Sequence, residues 1–234
     1  MMIQDTPVYA LTPFTMLDFK DKTACIIWFA GCNMRCAYCH NPDIVLGKGA
    51  KTEGDVLEFL ERRQGLLDGV VISGGEATCY KGLPALLRKI KTLGYAIKLD
   101  SNGTYPDIIK HLFEEKLIDF LALDYKASPC AFQKVTGTGK RLWNKFQKTL
   151  DYVCANQHGK FEVRTTIHSD LLNATDINAM ISDLESKNYT GTYFIQNYRH
   201  KENETLGNMT DQIKELDISL IQPSQNFQID YRNF

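Results

Sequence analysis

The sequence predicts an α/β fold built on a parallel sheet. Two observations carry this prediction: short apolar segments alternate with helical patterns, and the length of 234 residues allows one medium domain to bury a full core. Two parallel neighbouring strands need a crossover between them, and the intervening helices supply it. Right-handed crossovers would curl six such units toward an open barrel, although periodicity alone also allows a flat doubly wound sheet.

Six segments are predicted as strands from their length and apolar content. In chain order they are Ala24–Ala30, Gly69–Ser73, Ala96–Ser101, Phe120–Tyr125, Phe161–Ile167 and Thr192–Asn197. Helices are predicted between them because apolar residues recur three and four positions apart. These are Gly54–Gln64, Leu83–Leu93, Pro106–Lys116, Lys140–Asn156 and Thr175–Lys187. Pro106 suits a first helical turn, and Gly94 suits the position after a helix.

Composition and charge exclude several classes of protein. The formal net charge is −1, which argues against a general nucleic-acid or anionic-membrane surface. No uninterrupted apolar run approaches the roughly 18 residues that span a bilayer. Seven cysteines without an export signal fit a reducing compartment. We therefore expect a cytoplasmic protein that binds neither nucleic acid nor membranes.

Three cysteines follow the first predicted strand in the spacing C-x-x-x-C-x-x-C: Cys32, Cys36 and Cys39. Three thiolates on one short loop suit an iron–sulfur cubane whose fourth iron stays open to another ligand. A zinc site that adds His40 or a distant ligand is an alternative, but no second C-x-x-C pair exists in the chain. Covalent haem attachment at C-x-x-C-H would require export, and a disulfide would require an oxidising compartment. The cluster is the favoured interpretation.

The loop from Gly31 to Pro42 resembles the cluster loop of the glycyl-radical-enzyme activating proteins of the radical S-adenosylmethionine superfamily. In that family an aromatic residue precedes the third cysteine, and here it is Tyr38. The resemblance implies one 4Fe–4S cluster, S-adenosylmethionine bound to its open iron, and reductive cleavage to methionine and a 5′-deoxyadenosyl radical. It also implies the open six-unit (β/α) partial barrel. The remaining cysteines, which are Cys25, Cys79, Cys130 and Cys154, are expected to be packed as small hydrophobic residues.

Polar residues follow the second and third predicted strands, where α/β sheets place their functional groups. The resemblance implies that Gly74, Gly75 and Glu76 contact the amino group of the cofactor, although a tight turn also explains the two glycines. Asp100 matches a family aspartate that meets the same group. A bare carboxylate at a buried strand end is costly, so Asp100 needs some partner. Asn102-Gly103 is turn chemistry in its own right.

The fourth predicted strand carries Asp124 and Lys126 on one face, with Tyr125 on the other. The two charged groups can pair with each other. The resemblance implies instead that Asp124 accepts the ribose hydroxyls and that Lys126 neutralises the methionine carboxylate.

The fifth and sixth predicted strands supply two further candidates. Arg164 is a candidate cofactor contact or brace, and a salt bridge with Glu162 or another carboxylate is the alternative. His200 is a candidate for the adenosine ribose, with Gln196 and Tyr198 as alternatives at the same strand end. A solvated loop histidine explains His200 equally well.

The resemblance covers residues 14–207 and is strongest to the longer form of the anaerobic ribonucleoside-triphosphate reductase activating protein. The implied partners are that reductase, whose backbone glycine loses a hydrogen, and a flavodoxin or ferredoxin as electron donor. A pyruvate formate-lyase activase and a radical enzyme acting on a small molecule or peptide are the alternatives. We expect the barrel domain with its lead-in over residues 1–207 and a tail or barrel cap over 208–234. Alternating apolar residues at 227, 229 and 231 predict an edge strand or a docking segment.

Overall fold

A computed structural model describes residues 6–199, 205–212 and 216–234. Its strands are β1 Val8–Thr15, β2 Ala24–Phe29, β3 Gly69–Gly74, β4 Ala96–Ser101, β5 Phe120–Asp124, β6 Phe161–Ile167, β7 Thr192–Asn197 and β8 Gln228–Arg232. Its α-helices are α1 Pro42–Leu46, α2 Glu53–Glu61, α3 Leu83–Thr92, α4 Pro106–Glu114, α5 Phe132–Thr136, α6 Lys140–Asn156 and α7 Ala174–Ser186. Two short 3₁₀ turns cover Ala77–Cys79 and Ile218–Leu220.

The strands form a sheet in the order β1 to β8. Strands β2, β3 and β4 pair in parallel, as do β6, β7 and β8, whereas β1 is antiparallel to β2. The predicted α/β fold with a parallel sheet is thereby confirmed. All six predicted strands are present, with ends that agree to within one residue. Strand β1 was not predicted, and β8 confirms the edge strand expected from the apolar alternation near residue 229.

Contacts divide the described residues into two compact units. The first comprises residues 6–33, 41–101 and 107–121, and the second comprises the remaining described residues, beginning with the segment 34–40. The expected boundary between a barrel and a tail at residue 207 stays a prediction.

The first unit is built on β1 to β4. The sheet residues Ile27, Ile72 and Leu99 are fully buried, as expected for parallel strands that are covered on both faces. Helix α3 buries one apolar stripe and begins with Pro84 in its first turn. Helix α2 begins with a capping box in which Thr52 and Asp55 bond each other's backbone N–H groups. Each of these local signals agrees with the position of its element.

The second unit is built on β6 to β8 and on the helices α6 and α7. Helix α6 buries Phe146, Leu150 and Val153 along one stripe, which is the 3.6-residue period that the sequence shows. The ring of Phe146 packs 4.7 Å from that of Tyr125. Near β8, the buried Phe227 packs 5.3 Å from the ring of Tyr189. Phe227 also lies beside Tyr193 of β7, at 6.4 Å between ring centroids, whereas Ile229 and Tyr231 of β8 are half-buried.

None of the helices in the described part of the chain is long and apolar enough to cross a membrane.

Candidate functional site

In the first unit, the turn after β3 packs against the chain just before Cys32. The amide of Gly75 donates to the carbonyl of Phe29 at 2.8 Å, and the amide of Glu76 donates to the carbonyl of Gly31 at 2.9 Å. A Cβ on Gly75 would lie 2.0 Å from the Gly31 oxygen and 3.3 Å from Cys32 Cβ. Gly74 has a φ of +118°, which favours glycine. These two glycines therefore allow the chain that leads into Cys32 to lie against the turn.

The carboxylate of Glu76 is buried and held by hydrogen bonds. Its Oε1 accepts from the amide of Thr78 at 3.2 Å, from the Thr78 hydroxyl, and from Ser101 Oγ at 2.9 Å. The same carboxylate caps the 3₁₀ turn Ala77–Cys79. Such a network fixes the side chain in one position, because a buried carboxylate needs its hydrogen bonds.

Asp100 lies at the end of β4, beside β3. Its Oδ2 accepts from Ser73 Oγ at 3.1 Å, and its Oδ1 lies 3.3 Å from Lys98 Nζ. Lys98 is itself buried, and its Nζ donates to the carbonyl of Asp18 at 2.6 Å. The structure thus supplies the partner that a carboxylate in this position needs. Sequence reasoning overlooked Lys98, although its spacing of two residues from Asp100 places both on the same face of the strand.

In the second unit, backbone hydrogen bonds hold the segment 34–40 from two sides. On one side, the amides of Arg35 and Ala37 donate to the carbonyls of Thr136 and Val135, at 2.8 and 3.1 Å. These carbonyls belong to the last turn of α5, whose C-terminal groups need partners outside the helix. Helix α5 therefore anchors the loop at the residues before and after Cys36.

On the side of the segment 34–40 away from these α5 contacts lies a second backbone stretch, residues 205–209, which we call the strap. The amide of Leu206 donates to the carbonyl of Cys39 at 3.1 Å, and that of Gly207 donates to the carbonyl of Ala37 at 2.9 Å. A Cβ on Gly207 would lie 2.8 Å from Ala37 Cα and Cβ. Only glycine fits at this distance, so the strap and the loop can approach as two paired backbones.

The three cysteines are free thiols; Cys36 is buried, and Cys32 and Cys39 are half-buried. Burial raises the pKa of the Cys36 thiol, and the nearby Lys126 cation opposes this shift only in part. Among the described residues, no group of three or more His, Cys, Asp or Glu side chains is arranged to hold a single metal ion. The expectation that the other four cysteines are packed is wrong for Cys130, which is exposed on the segment before α5.

Tyr38 is buried in the same segment. Its hydroxyl has no hydrogen-bond partner among the described residues, and Lys126 Nζ lies 5.9 Å from its ring centroid. An unpartnered buried hydroxyl is costly. The site therefore offers an unused polar group beside a cation.

Asp124, Lys126 and Arg164 form an ion-paired triad at the ends of β5 and β6. Asp124 Oδ2 lies 3.0 Å from Lys126 Nζ, and Asp124 Oδ1 lies 3.0 Å from both Nε and Nη2 of Arg164. Arg164 therefore forms a salt bridge with another carboxylate, that of Asp124. On the opposite face, Tyr125 donates to Asp183 Oδ2 at 2.7 Å, as the alternation predicts.

Electrostatics keep the triad charged. Burial alone would raise the pKa of Asp124, but the two cations outweigh it and lower the pKa. Burial alone would lower the pKa of Lys126, but Asp124 and other neighbours raise it well above its ordinary value. The triad consequently carries one negative and two positive charges at neutral pH.

Tyr198, one of the alternatives for a ribose contact, is buried between two histidines. Its ring stacks on His40 at 4.9 Å and meets His168 edge-on at 4.8 Å. Gln196, another alternative, lies 3.3 Å from Arg232 Nη1 through its Oε1. His200 lies outside the described residues. The structure thus gives Tyr198 a packing role next to the cysteine loop.

The sequence of this chain is similar to those of known proteins. Residues 26–173 match the family model of the radical SAM superfamily. A protein of Methanocaldococcus jannaschii assigned as a glycyl-radical enzyme activating enzyme, MJ1227, is 31% identical over 206 residues, covering 83% of this chain and 81% of its own. The pyruvate formate-lyase-activating enzyme of Clostridium pasteurianum is 32% identical over 140 residues, covering 55% of this chain and 56% of its own.

Among solved structures, Streptococcus suis SuiB bound to S-adenosylmethionine superposes with a TM-score of 0.66 at 15% identity. The match covers 89% of this chain and 52% of SuiB. At this identity the likeness concerns the fold.

Proposed function

We propose a function for this chain on the premise that it belongs to the radical S-adenosylmethionine superfamily and to its glycyl-radical enzyme activating enzymes. The proposed partner is an anaerobic ribonucleoside-triphosphate reductase. Enzymes of this superfamily use a 4Fe–4S cluster and S-adenosylmethionine. Activating enzymes act on a glycyl-radical enzyme. The choice of the reductase rests on the one-cluster loop and on the lead-in Leu17–Lys22, which resemble the longer form of its activating protein.

Cys32, Cys36 and Cys39 are the proposed ligands of the cluster. The single observation that carries the proposal is the spacing of three free thiols within eight residues, 32–39. In the first unit a glycine turn packs against the chain just before Cys32, and in the second unit backbone hydrogen bonds hold the segment that carries Cys36 and Cys39. Thiolate is the usual donor to iron–sulfur clusters, and three of them leave one iron open. Burial raises the pKa of the Cys36 thiol and the Lys126 cation offsets this only in part, so iron itself would have to stabilise the thiolate form. The donor set therefore fits the cluster.

Four groups are proposed to bind the methionine end of the cofactor. Glu76 and Asp100, both held by hydrogen bonds, would accept from its ammonium group, and the backbone of Gly74 and Gly75 would allow close approach. Lys126 would meet its carboxylate. A Lys ammonium has three donors, and only one is used toward Asp124. Binding therefore requires no break of the existing pair.

Asp124 is proposed to accept the ribose hydroxyls. A carboxylate has about four acceptor positions, and the three nitrogens of Lys126 and Arg164 leave about one of them, on Oδ2, for a ribose hydroxyl. Arg164, which touches Asp124 through two nitrogens, acts as a brace for this carboxylate. Tyr38, whose hydroxyl is unpartnered among the described residues, would contribute its ring and hydroxyl beside the cofactor.

Held by Cys32, Cys36 and Cys39, the cluster would supply the one electron needed for cleavage of S-adenosylmethionine, and the cofactor would supply the radical that takes a hydrogen atom from a glycine of the partner. The chain's own residues would orient the cofactor, so that the radical meets the partner's glycine before any other C–H or S–H donor. Abstraction from glycine is favourable because the product radical is delocalised into both neighbouring peptide groups.

The test is an anaerobic mixture of the reconstituted protein, S-adenosylmethionine, dithionite and the anaerobic reductase. The expected result is a glycyl-radical signal on the reductase by electron paramagnetic resonance, with formation of 5′-deoxyadenosine. Pyruvate formate-lyase replaces the reductase in a parallel sample. A signal on pyruvate formate-lyase alone would reassign the partner, and cofactor cleavage with neither radical would favour a small-molecule or peptide substrate.

A further inference from the structure

Helix α6 begins with a cluster of cations in a chain that is otherwise nearly neutral. Residues 125–150 contain six Lys or Arg and no Asp or Glu, whereas the whole chain has 27 basic and 28 acidic residues. Four of the six lie on α6, and we call them the basic face: Lys140, Arg141, Lys145 and Lys148. Arg141, Lys145 and Lys148 have the spacing i, i+4, i+7, which places them on one side of a helix.

The basic face is available to a partner. Lys140, Arg141 and Lys148 are exposed, and Lys145 is half-buried beside the ring of Tyr105 at 5.4 Å. Among the described residues, none of the four forms a salt bridge, in contrast to Lys126, which pairs with Asp124. An exposed cluster of like charges without counter-charges produces a positive potential that attracts an acidic surface.

These cations also oppose the stability of their own helix. The first turn of α6 contains no acidic residue, and Lys140 and Arg141 stand there beside the positive end of the helix dipole. Cations in the first turn are disfavoured, and acidic residues are favoured, at a helix N-terminus. A reason outside the fold is therefore needed for a basic first turn.

The basic face starts close to the cysteine loop. Gly137, the C-cap of α5, ends that helix three residues before α6 begins. A Cβ on Gly137 would lie 3.2 Å from Arg35, and the amide of Arg35 donates to Thr136 at 2.8 Å. The start of α6 thus adjoins the segment that carries Cys36 and Cys39. A cavity of about 290 Å³, lined in part by Phe132 and Trp143, lies at the same place and offers apolar contact area.

We propose that the basic face docks the acidic electron-carrier protein, of the flavodoxin or ferredoxin class, that reduces the cluster. One electron leaves the reduced carrier, and the oxidised cluster gains it. Electron-transfer complexes are small and depend on charge complementarity for fast association. Nucleic acid would also be attracted by cations, but its binding requires no proximity to the cysteine loop. This inference rests on the proposed function.

The test is a triple variant with Lys140→Glu, Arg141→Glu and Lys148→Glu, reconstituted and compared with the wild type. Purified flavodoxin in its fully reduced state drives cofactor cleavage at low ionic strength. We expect the second-order rate to fall by at least about tenfold, within the range that electrostatic steering contributes. The wild-type rate should fall with added salt, and the variant rate should not. A variant rate within twofold of the wild type would overturn the proposal.

If the three substitutions damaged the fold, the unfolding temperature of the variant would fall below that of the wild type. Two of the three substitutions place an acidic residue in the first turn of α6, so the unfolding temperature of the variant should be equal to or above that of the wild type. Cofactor cleavage driven by dithionite should be unchanged, because dithionite needs no docking surface. Loss of the dithionite reaction in the wild type would refute the proposed function and not the docking site.

A control variant has the same change of charge at scattered exposed positions: Lys81→Glu, Lys110→Glu and Lys160→Glu. Its flavodoxin-driven rate should stay within twofold of the wild type. An equal loss of rate in the control variant would show that the net charge of the protein, and not the basic face, determines the rate, and the proposal would fail. If the α6 variant instead loses only glycyl-radical formation with dithionite, the face belongs to the glycyl-radical enzyme, and the carrier proposal fails.

Discussion

Cys36 is the most buried of the three loop thiols and lies near the Lys126 cation. We expect Cys36→Ala to lose the brown colour and nearly all bound iron after anaerobic reconstitution, because two remaining thiolates rarely hold a cubane. Iron and sulfide assays with the visible spectrum measure this. Cys130→Ala is the matched control, since Cys130 is exposed outside the loop. Full cofactor cleavage by Cys36→Ala would contradict the assignment.

Gly75 allows the turn after β3 to touch the chain before Cys32. In Gly75→Ala the new Cβ would meet the Gly31 oxygen at 2.0 Å, so one backbone must move. We expect a loss of about 2–3 kcal/mol in the free energy of unfolding, as for other overpacked sites, together with weaker cluster retention. Denaturant unfolding and iron content measure the two effects.

Gly54→Ala is the control for that substitution. Its Cβ would meet only Thr52 Oγ1, at 3.4 Å, and alanine favours a helix over glycine by up to about 1 kcal/mol. The free energy of unfolding should therefore rise slightly or stay constant. An equal loss in both variants would show that the close approach of Gly75 has no special importance.

Asp124 provides a prediction on pH. Its pKa is lowered in the folded state, so its pairs stabilise the protein above the unfolded carboxyl pKa of about 4 and lose this contribution as the pH falls through the folded value. Asp124→Asn should cost about 1–3 kcal/mol at pH 7, less than a fully buried pair would. The difference between wild type and variant should shrink below about pH 4. Thermal unfolding of the cluster-free proteins at several pH values measures it, and a constant difference would contradict the prediction.

From the sequence, Asp100, Asp124 and Lys126 stood out as candidates because they match the family pattern, and because a charged residue at the end of an apolar strand needs a partner. The sequence did not identify Lys98, whose burial depends on the backbone of Asp18, about 80 positions earlier in the chain. The sequence also could not decide whether Gly75 serves a tight turn or a close approach of another group. A glycine beside a strand end suggests close approach, but only the structure shows that Gly31 is the neighbour.

The strap is the element that pairs with the segment 34–40. In Gly207→Ala the new Cβ would meet Ala37 at 2.8 Å and would force the two backbones apart. We expect the reconstituted cluster to be lost to a chelator several times faster than in the wild type. The far-ultraviolet circular dichroism of the protein should be unchanged, because the sheet needs no contact with Gly207.

Met209→Ala serves as the control in the strap. The amide of Met209 donates to Thr205 Oγ1 at 2.6 Å, and truncating its side chain leaves that backbone bond in place. Its chelation rate should match the wild type. A Gly207→Ala rate equal to this control would show that the strap does not hold the cysteine segment.

Elements with several turns or a clear alternation were predicted well, including α6, whose bounds agree at both ends. The short helices α1 and α5 were missed, because five residues contain too little of a 3.6-residue period to be recognised. Strand β1 was missed since it is partly exposed along most of its length and lacks a continuous apolar run. Its place depends on pairing with β2, which local sequence does not specify.

For the whole molecule, cofactor binding should depend on the cluster. A ligand that binds only the folded state stabilises it by about 2.7 kcal/mol at 100 times its dissociation constant. For a chain of this size we expect saturating S-adenosylmethionine to raise the unfolding temperature by about 5–10 °C in the reconstituted protein. The cluster-free protein should show a much smaller rise. Equal rises in anaerobic calorimetry would show that the cofactor binds without the open iron.

The family and the reaction type follow from a few local motifs, since the cysteine spacing and the strand-end residues determine the chemistry. The partner does not follow from them. A glycyl-radical enzyme contacts an extended surface, and the residues of such a surface are scattered along the chain without a shared pattern. Recognition therefore has to be measured, whereas the chemistry can be inferred.

Two backbone partners flank the segment with Cys36 and Cys39, and neither of them uses a thiol. If air destroys the cluster, the backbone of this segment should therefore keep its position, and iron and sulfide should rebuild the cluster once oxygen is removed. Repair of existing molecules would then replace fresh synthesis during recovery from oxygen exposure.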